Sequence, residues 1–141
     1  MRRVYYFFIL VVFVGCSFHQ PHPLTLQEKK QLLQKRFAEY WQARVTGNYQ
    51  KSWEYELPSQ RFLSSFDKYK ITVSGYKGTK VTLYKIVLFT PTQAVVERKI
   101  EDKKGHTFIK KDKWFFVKDN WYHKFYQSIL PPKTKEEAEF Q

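Results

Sequence analysis

The sequence predicts an α+β domain in which N-terminal helices pack on an antiparallel sheet of about four to five strands. Helix-capping signals and apolar residues at helical spacing occur between residues 25 and 66. Strand-like segments separated by short turns follow, from residue 69 to residue 129. Helices followed by a run of strands are typical of α+β domains, whereas regular alternation of strands and helices would indicate a parallel α/β sheet.

The first helix is bounded by recognisable signals at both ends. Residues 25–28, Thr-Leu-Gln-Glu, form a capping box in which the threonine and glutamate side chains each accept from the other residue's backbone N–H. Gly47 supplies the left-handed residue that ends a helix. Between them, one helix face is formed by residues at three- and four-residue spacing: Leu33, Phe37, Tyr40, Trp41 and Arg44.

Two shorter helical segments are predicted next. Asn48 is a good N-cap for a helix that carries Tyr49 and Trp53 one turn apart. Pro58 limits this helix, because the residue before a proline disfavours the α conformation. Residues 59–66 add a further helical turn or two.

The rest of the chain up to residue 129 predicts strands joined by tight turns. Alternation slips near Tyr84, which indicates a β-bulge. Asp119-Asn120 is a candidate two-residue hairpin turn, and it would pair Phe116 with His123 and Trp114 with Phe125 on one face of the sheet. The predicted strands cover residues 71–73, 81–89, 93–101, 107–118 and 121–129.

Two segments resemble the NTF2-like superfamily. Residues 32–61, LLQKRFAEYWQARVTGNYQKSWEYELPSQR, resemble its aromatic-rich first helix, which ends at Gly-Asp/Asn, and its second helix. Residues 113–125, KWFFVKDNWYHKF, resemble its last hairpin. The resemblance covers residues 25–130 and implies a curved sheet wrapped around helices, forming a cone with an apolar pocket. Another helix-on-sheet domain, such as a cystatin-like one, is the alternative.

The N-terminal residues predict export and lipid attachment. The apolar stretch 4–14 follows two arginines and is shorter than the about 20 residues that span a bilayer, but it suits a secretory signal of about 7–15 apolar residues. Residues 13–16, Phe-Val-Gly-Cys, resemble the lipobox of bacterial lipoproteins. The resemblance implies that residues 1–15 are a signal peptide and that Cys16 is lipidated. An ordinary signal peptide and a short membrane anchor are the alternatives.

The same resemblance predicts where the mature protein is anchored. An aspartate after the lipidated cysteine usually marks inner-membrane retention in Gram-negative lipoproteins, and Ser17 stands there instead. We therefore expect an outer-membrane lipoprotein that faces the periplasm, with the lipid on Cys16 as its contact with the membrane. Residues 16–24 would form the lipidated tether, and the Pro-led polar residues 131–141 a flexible tail.

Composition limits the chemistry and suggests partners. Cys16 is the only cysteine, so its lipidation leaves no thiol for a disulfide, a metal ligand or a redox centre. No cofactor or metal motif is present, and we expect neither. The net charge of +12 favours anionic envelope polymers or lipid headgroups as partners, while a merely solvated surface is the alternative. Nucleic acid is not expected at an exported, lipid-anchored protein.

The candidate site residues lie in the predicted cone. His123, on the aromatic face of the last hairpin, is the weak candidate for a general base, the role that an Asp or His has in NTF2-like enzymes. A histidine among aromatic residues is, however, more often a hydrogen-bonded filler. The candidate pocket residues, which an ordinary core would also contain, are Phe37, Tyr40, Trp41, Trp53, Trp114 and Phe116.

Together these features favour a membrane-anchored envelope lipoprotein with a non-catalytic NTF2-like binding or assembly domain. The alternative is a pocket enzyme of the isomerase or dehydratase type that uses His123 as general base. NTF2-like domains often pair through the outer sheet face, so the resemblance also implies a homodimer.

Overall fold

The computed structural model describes residues 22–125, in which helices precede a four-stranded antiparallel sheet, as the sequence predicts. The predicted signal peptide, Cys16 and the predicted tail lie outside the described residues. The helices are α1 (Leu26–Thr46), α2 (Tyr49–Trp53), α3 (Pro58–Leu63) and α4 (Phe66–Val73), followed by a 3₁₀ turn, Ser74–Tyr76. The strands are β1 (Lys80–Phe89), β2 (Gln93–Glu101), β3 (Thr107–Val117) and β4 (Asn120–His123), and they pair in chain order.

Helix α1 has both predicted ends and the predicted buried face. Thr25 Oγ1 accepts from the Glu28 backbone N–H at 3.2 Å, and Glu28 Oε2 accepts from the Thr25 N–H at 2.7 Å. Gly47 ends the helix at φ 83°. All five residues of the predicted face are buried: Leu33, Phe37, Tyr40, Trp41 and Arg44.

The expectation of a strand over residues 71–73 is wrong, because these residues form the end of α4. Ser65 caps this helix by accepting from the Lys68 N–H at 3.3 Å. Tyr69 and Val73, one turn apart, are both fully buried and pack with Phe125. The β-branched run favours a strand locally, but this tertiary packing overrides the weak local preference.

The sheet is irregular at the position where the sequence pattern slips. The pairing of β1 with β2 shifts register between Leu83 and Lys85, which confirms the predicted bulge near Tyr84, and shifts again between Ile86 and Leu88. Bulges bend a strand and increase its twist. They therefore help the sheet to curve around α1.

The hairpin turn lies one residue earlier than predicted. Lys118 and Asp119 are its central residues, at φ 47° and 59°, and Val117 pairs with Asn120. Positive φ at both central residues is the type I′ arrangement that matches the twist of adjacent strands. The prediction that Asp119-Asn120 forms the turn is therefore wrong.

The shifted turn changes the pairing but not the face of each side chain. Trp114 pairs with His123, and Phe116 pairs with Trp121, so the predicted pairs Phe116–His123 and Trp114–Phe125 are wrong by two residues. Because side chains alternate with a period of two, a two-residue shift keeps the aromatic residues and His123 on one face. That face packs on α1.

Candidate functional site

Charged and polar side chains meet inside the domain, where α1 faces the inner side of the sheet. We call this group the buried polar network. Its members are Tyr40 and Arg44 from α1, Glu56 from the segment after α2, Arg98 from β2, Asp112 from β3 and His123 from β4. The two acidic members, Glu56 and Asp112, are 0% and 5% exposed.

Backbone structure brings these residues together from distant parts of the chain. Tyr40 and Arg44 are one helical turn apart on the buried face of α1. Strand alternation places Asp112 on the same face as Trp114. The segment after α2 runs beside β4, where the Leu57 N–H donates to the His123 carbonyl at 2.9 Å and the His123 N–H donates to the Tyr55 carbonyl at 2.8 Å. This bridge brings Glu56 next to His123.

Glu56 is the acceptor at the centre of the network. Tyr40 Oη donates to Glu56 Oε1 at 2.6 Å, and His123 Nδ1 lies 2.8 Å from Glu56 Oε2. Since a carboxylate oxygen accepts, we assign the ring proton to Nδ1. In the neutral ring, Nε2 then carries the lone pair. Arg44 Nη1 donates to Tyr40 Oη at 2.6 Å and so joins the same chain of hydrogen bonds.

Asp112 organises the other half of the network. It forms an ion pair with Arg98 and accepts from Trp41 Nε1 at 2.9 Å. Arg98 Nη2 also donates to Tyr76 Oη at 3.1 Å. His123 Nε2 lies 3.5 Å from Asp112 Oδ1, so the imidazole ring separates the two buried carboxylates.

Burial determines the protonation states of the uncharged members. It lowers the pKa of His123 below its ordinary value, and the Glu56 carboxylate acts in the opposite direction without reversing this shift. Burial also raises the pKa of Tyr40 well above its ordinary value. His123 is therefore neutral and Tyr40 is a hydrogen-bond donor near pH 7.

A pocket of about 230 Å³ opens beside the network, where β4 ends and β3 continues. The network residues Arg44, Arg98, Asp112 and His123 form part of its wall. The resemblance implied an apolar pocket, but this wall is largely polar and charged. The remaining lining residues are Thr72, Tyr76, Lys111, Lys113, Lys124 and Phe125.

Of the sequence-predicted site residues, His123 lines this pocket and the six aromatic residues do not. Trp53 packs against a smaller cluster formed by Tyr69, Val73 and Phe125. The other five fill the space between α1 and the sheet: Phe37, Tyr40, Trp41 and Trp114 belong to the main core, and Phe116 packs against it. Tyr40 still contacts the site, because its ring stacks on His123 at 4.5 Å.

Sequence reasoning missed Arg44, Glu56 and Arg98 as site residues and gave Asp112 no role. The sequence did contain a signal for Arg44 and for Asp112. Arg44 is the one charged residue on the predicted apolar face of α1, and Asp112 lies two residues before Trp114 on the inner face of β3. A charged residue at an inward position has to find a partner, which predicts a buried ionic site. No comparable signal marks Glu56.

Two further findings concern only residues 22–125. No group of three or more His, Cys, Asp or Glu side chains is arranged to hold a metal ion. None of the helices in this range is long and apolar enough to cross a membrane.

Comparisons with known proteins identify the fold. No protein-family model and no curated protein matches the chain. Among solved structures, a protein from Campylobacter jejuni provisionally named an NTF2-like transpeptidase matches with a TM-score of 0.50 and 7% identity, covering 65% of this chain and 97% of that one. A provisionally named dehydratase of the NTF2-like family from Streptomyces avermitilis matches with a TM-score of 0.52 and 10% identity, covering 70% and 93%. The fold is that of NTF2-like proteins.

The Tyr40–Glu56 hydrogen bond can be tested against a matched bond elsewhere on α1. Tyr40→Phe leaves a buried carboxylate oxygen and Arg44 Nη1 without a partner, so we expect it to lower the free energy of unfolding by about 2–4 kcal/mol. Tyr55→Phe removes a hydrogen bond of 2.9 Å to the more exposed Glu39 and should cost about 0.5–1 kcal/mol. Urea unfolding of both variants measures the difference, and equal losses would contradict the central role of Glu56.

The lowered pKa of His123 predicts a pH-dependent stability. An unfolded histidine takes up a proton near pH 6.5, while the folded one resists protonation to lower pH. Between the pKa of the unfolded histidine and the lower pKa of the folded one, the unfolded state binds more protons. The free energy of unfolding therefore falls as pH falls, by up to about 1.4 kcal/mol per pH unit. Urea unfolding between pH 7.5 and pH 5.0 should show this slope. His123→Gln should flatten this slope. The control is His106→Gln, which should leave the slope unchanged because the His106 side chain is 64% exposed.

Proposed function

We propose that the protein is a lipid-anchored lipoprotein of the bacterial cell envelope whose NTF2-like domain binds a small ligand and does not catalyse a reaction. The observation that carries the proposal is a pocket with a polar wall in which the candidate base, His123, is only 5% exposed and already donates through Nδ1 to Glu56. A binding site needs an open pocket, and an enzyme also needs a free catalytic group. The open pocket meets the first requirement, and the burial of His123 argues against its serving as the catalytic group.

The engagement of His123 argues for a structural role of this side chain. A general base has to present a lone pair within hydrogen-bond reach of its substrate. Here Nε2 faces Asp112 Oδ1 at 3.5 Å, and the ring is only 5% exposed. The lowered pKa also makes His123 a weaker base. Its main effect is then to hold Glu56 in place through the hydrogen bond from Nδ1.

The envelope location rests on the sequence. The segment 13–16 resembles a lipobox, and Ser17 after the cysteine favours the outer membrane over the inner one. Helix α1 begins at Leu26, so the tether of residues 16–24 would hold the domain close to the bilayer. A single lipid chain binds a membrane only marginally, and the several chains of a lipoprotein would provide stable anchoring.

The outer face of the sheet is a second surface through which the domain could contact partners. Ile109 is 48% exposed and pairs with Lys99 across β2 and β3. A homodimer through this face would bring two basic domains together, since the proposed mature chain, without Arg2 and Arg3, would still carry 23 basic and 13 acidic residues. An anionic envelope polymer or a lipid headgroup complements the positive charge of the chain better than a second copy does.

One observation favours the alternative, a pocket enzyme of the isomerase or dehydratase type. Glu56 orients His123 through Nδ1 at 2.8 Å, which is how a carboxylate orients a histidine base. A conformational change that moved Asp112 away would expose Nε2 to the pocket. One of the similar structures carries the provisional name of a dehydratase.

His123→Gln distinguishes binding from catalysis. Native mass spectrometry of the wild type and the variant, purified in the same way from cells, should show the same ligand mass if the domain only binds. An enzyme should instead leave unconverted substrate on the variant, which gives a different bound mass. His106→Gln is the control and should match the wild type in either case.

The anchor is tested on the mature protein. Intact-mass spectrometry of the membrane fraction should show a chain that begins at Cys16 and carries the mass of lipid chains. Cys16→Ser should remain unprocessed and lack this added mass. Recovery of the wild type with Met1 attached and no lipid would refute the envelope assignment.

A further inference from the structure

We propose that the pocket recognises an oxyanion, a carboxylate or phosphate group on a small molecule, and that Arg44 is the residue that binds it. This inference rests on the proposed binding function and names the chemistry of the ligand.

Arg44 is a buried cation with unused donors. It is 4% exposed and lies between two aromatic rings, with its guanidinium carbon 4.4 Å from the Trp41 ring centroid and 4.5 Å from that of Tyr76. Its one hydrogen bond goes to Tyr40 Oη, its buried Nε has no partner, and it pairs with no carboxylate among residues 22–125. A guanidinium has five N–H donors.

Arg98 provides an internal comparison. It lines the same pocket and is similarly buried, but its charge is matched by the ion pair with Asp112. It also donates to Tyr76 Oη and to the carbonyl of Lys111. The Nε of Arg98, like that of Arg44, has no partner, but Arg44 lacks the carboxylate contact that Arg98 has, and it therefore keeps the greater capacity to bind an added anion. Burial of a charge is costly unless that charge is paired, so an anion at Arg44 would be held strongly.

The charges around the pocket favour an anion as well. Within the buried polar network, the two guanidinium groups balance the carboxylates of Glu56 and Asp112, and His123 is neutral. Three lysines border the pocket in addition: Lys111, Lys113 and Lys124. Because the lining contains one acidic residue, Asp112, and five basic ones, its formal charge is positive and favours anions.

The size of the pocket limits the ligand. Its volume of about 230 Å³ lies below the about 300–1,000 Å³ of pockets that hold drug-sized molecules. Tyr76 and Phe125 provide ring surfaces in the lining. A small aromatic or aliphatic carboxylate, or a phosphate group, fits these constraints, and the planar guanidinium can bind either in a bidentate manner.

The test measures binding to the full-length mature protein in an uncharged detergent by isothermal titration calorimetry. The probes are benzoate, inorganic phosphate and the neutral benzamide, each at constant ionic strength. We expect at least one of the two anions, benzoate or phosphate, to bind. If benzoate binds, benzamide should bind about tenfold more weakly or worse, because the neutral amide cannot form an ion pair with Arg44. The relative affinities of benzoate and phosphate identify which oxyanion the site prefers.

Three variants locate the site. Arg44→Met should weaken anion binding about tenfold or more. Lys111→Gln leaves the buried residues unchanged, so this variant should fold even if Arg44→Met does not. It should weaken anion binding about twofold. Lys30→Gln removes the same charge from an exposed position of α1 outside the pocket lining and should leave binding unchanged.

The possible failures have different meanings. Equal binding of benzamide and benzoate, without binding of phosphate, would overturn the anion inference and leave the binding function intact. Equal weakening by Lys111→Gln and Lys30→Gln would show non-specific attraction to the basic surface and would overturn it too. No binding of any probe would also overturn it, and a ligand mass in the native spectrum of the purified protein would then still support the binding function.

Discussion

The buried carboxylate of Glu56 is the constraint on which the rest of the domain depends. It has no exposed surface, so both of its oxygens need donors, and Tyr40 and His123 supply them. One donor lies on the first helix and the other on the last strand. Leaving a buried charge without its partner typically costs about 3–5 kcal/mol. Glu56 therefore fixes how the helical part of the chain meets the sheet, and backbone hydrogen bonds of Leu57 and His123 reinforce the junction.

The pocket is polar, although the fold suggests an apolar cone, because the core beside it is already filled. Large aromatic side chains fill the space between α1 and the sheet, with Trp41 and Trp114 almost fully buried. The remaining opening lies where β4 stops at His123 and β3 continues without it. The inward side chains at that edge belong to the buried polar network. What remains open is therefore a charged site beside a filled core.

Features set by neighbouring residues could be predicted from the sequence, and features set by distant contacts could not. The capping box at Thr25 and the bulge near Tyr84 depend on local hydrogen bonding and alternation, and both were found. Helix α4 was missed because its β-branched residues favour a strand until Tyr69 packs on Phe125. The hairpin turn was misplaced because Asp119-Asn120 is the more turn-like dipeptide. His123 was identified, but its link to Glu56 joins residues 67 positions apart, which no local pattern encodes.

The cost of the buried polar network is itself an argument for function. Replacing buried ion pairs with apolar residues of similar volume is often neutral or stabilising, so such pairs are weak evidence for stability. The chain has a single cysteine and so cannot form an intramolecular disulfide that would compensate for the cost. Structures with only 7% and 10% identity share the fold, which supports many different sites, so function has to be inferred from the side chains. Arg44 donates to Tyr40 but contacts no carboxylate directly among residues 22–125, so an anion in the open pocket beside it would supply the direct partner that its charge lacks.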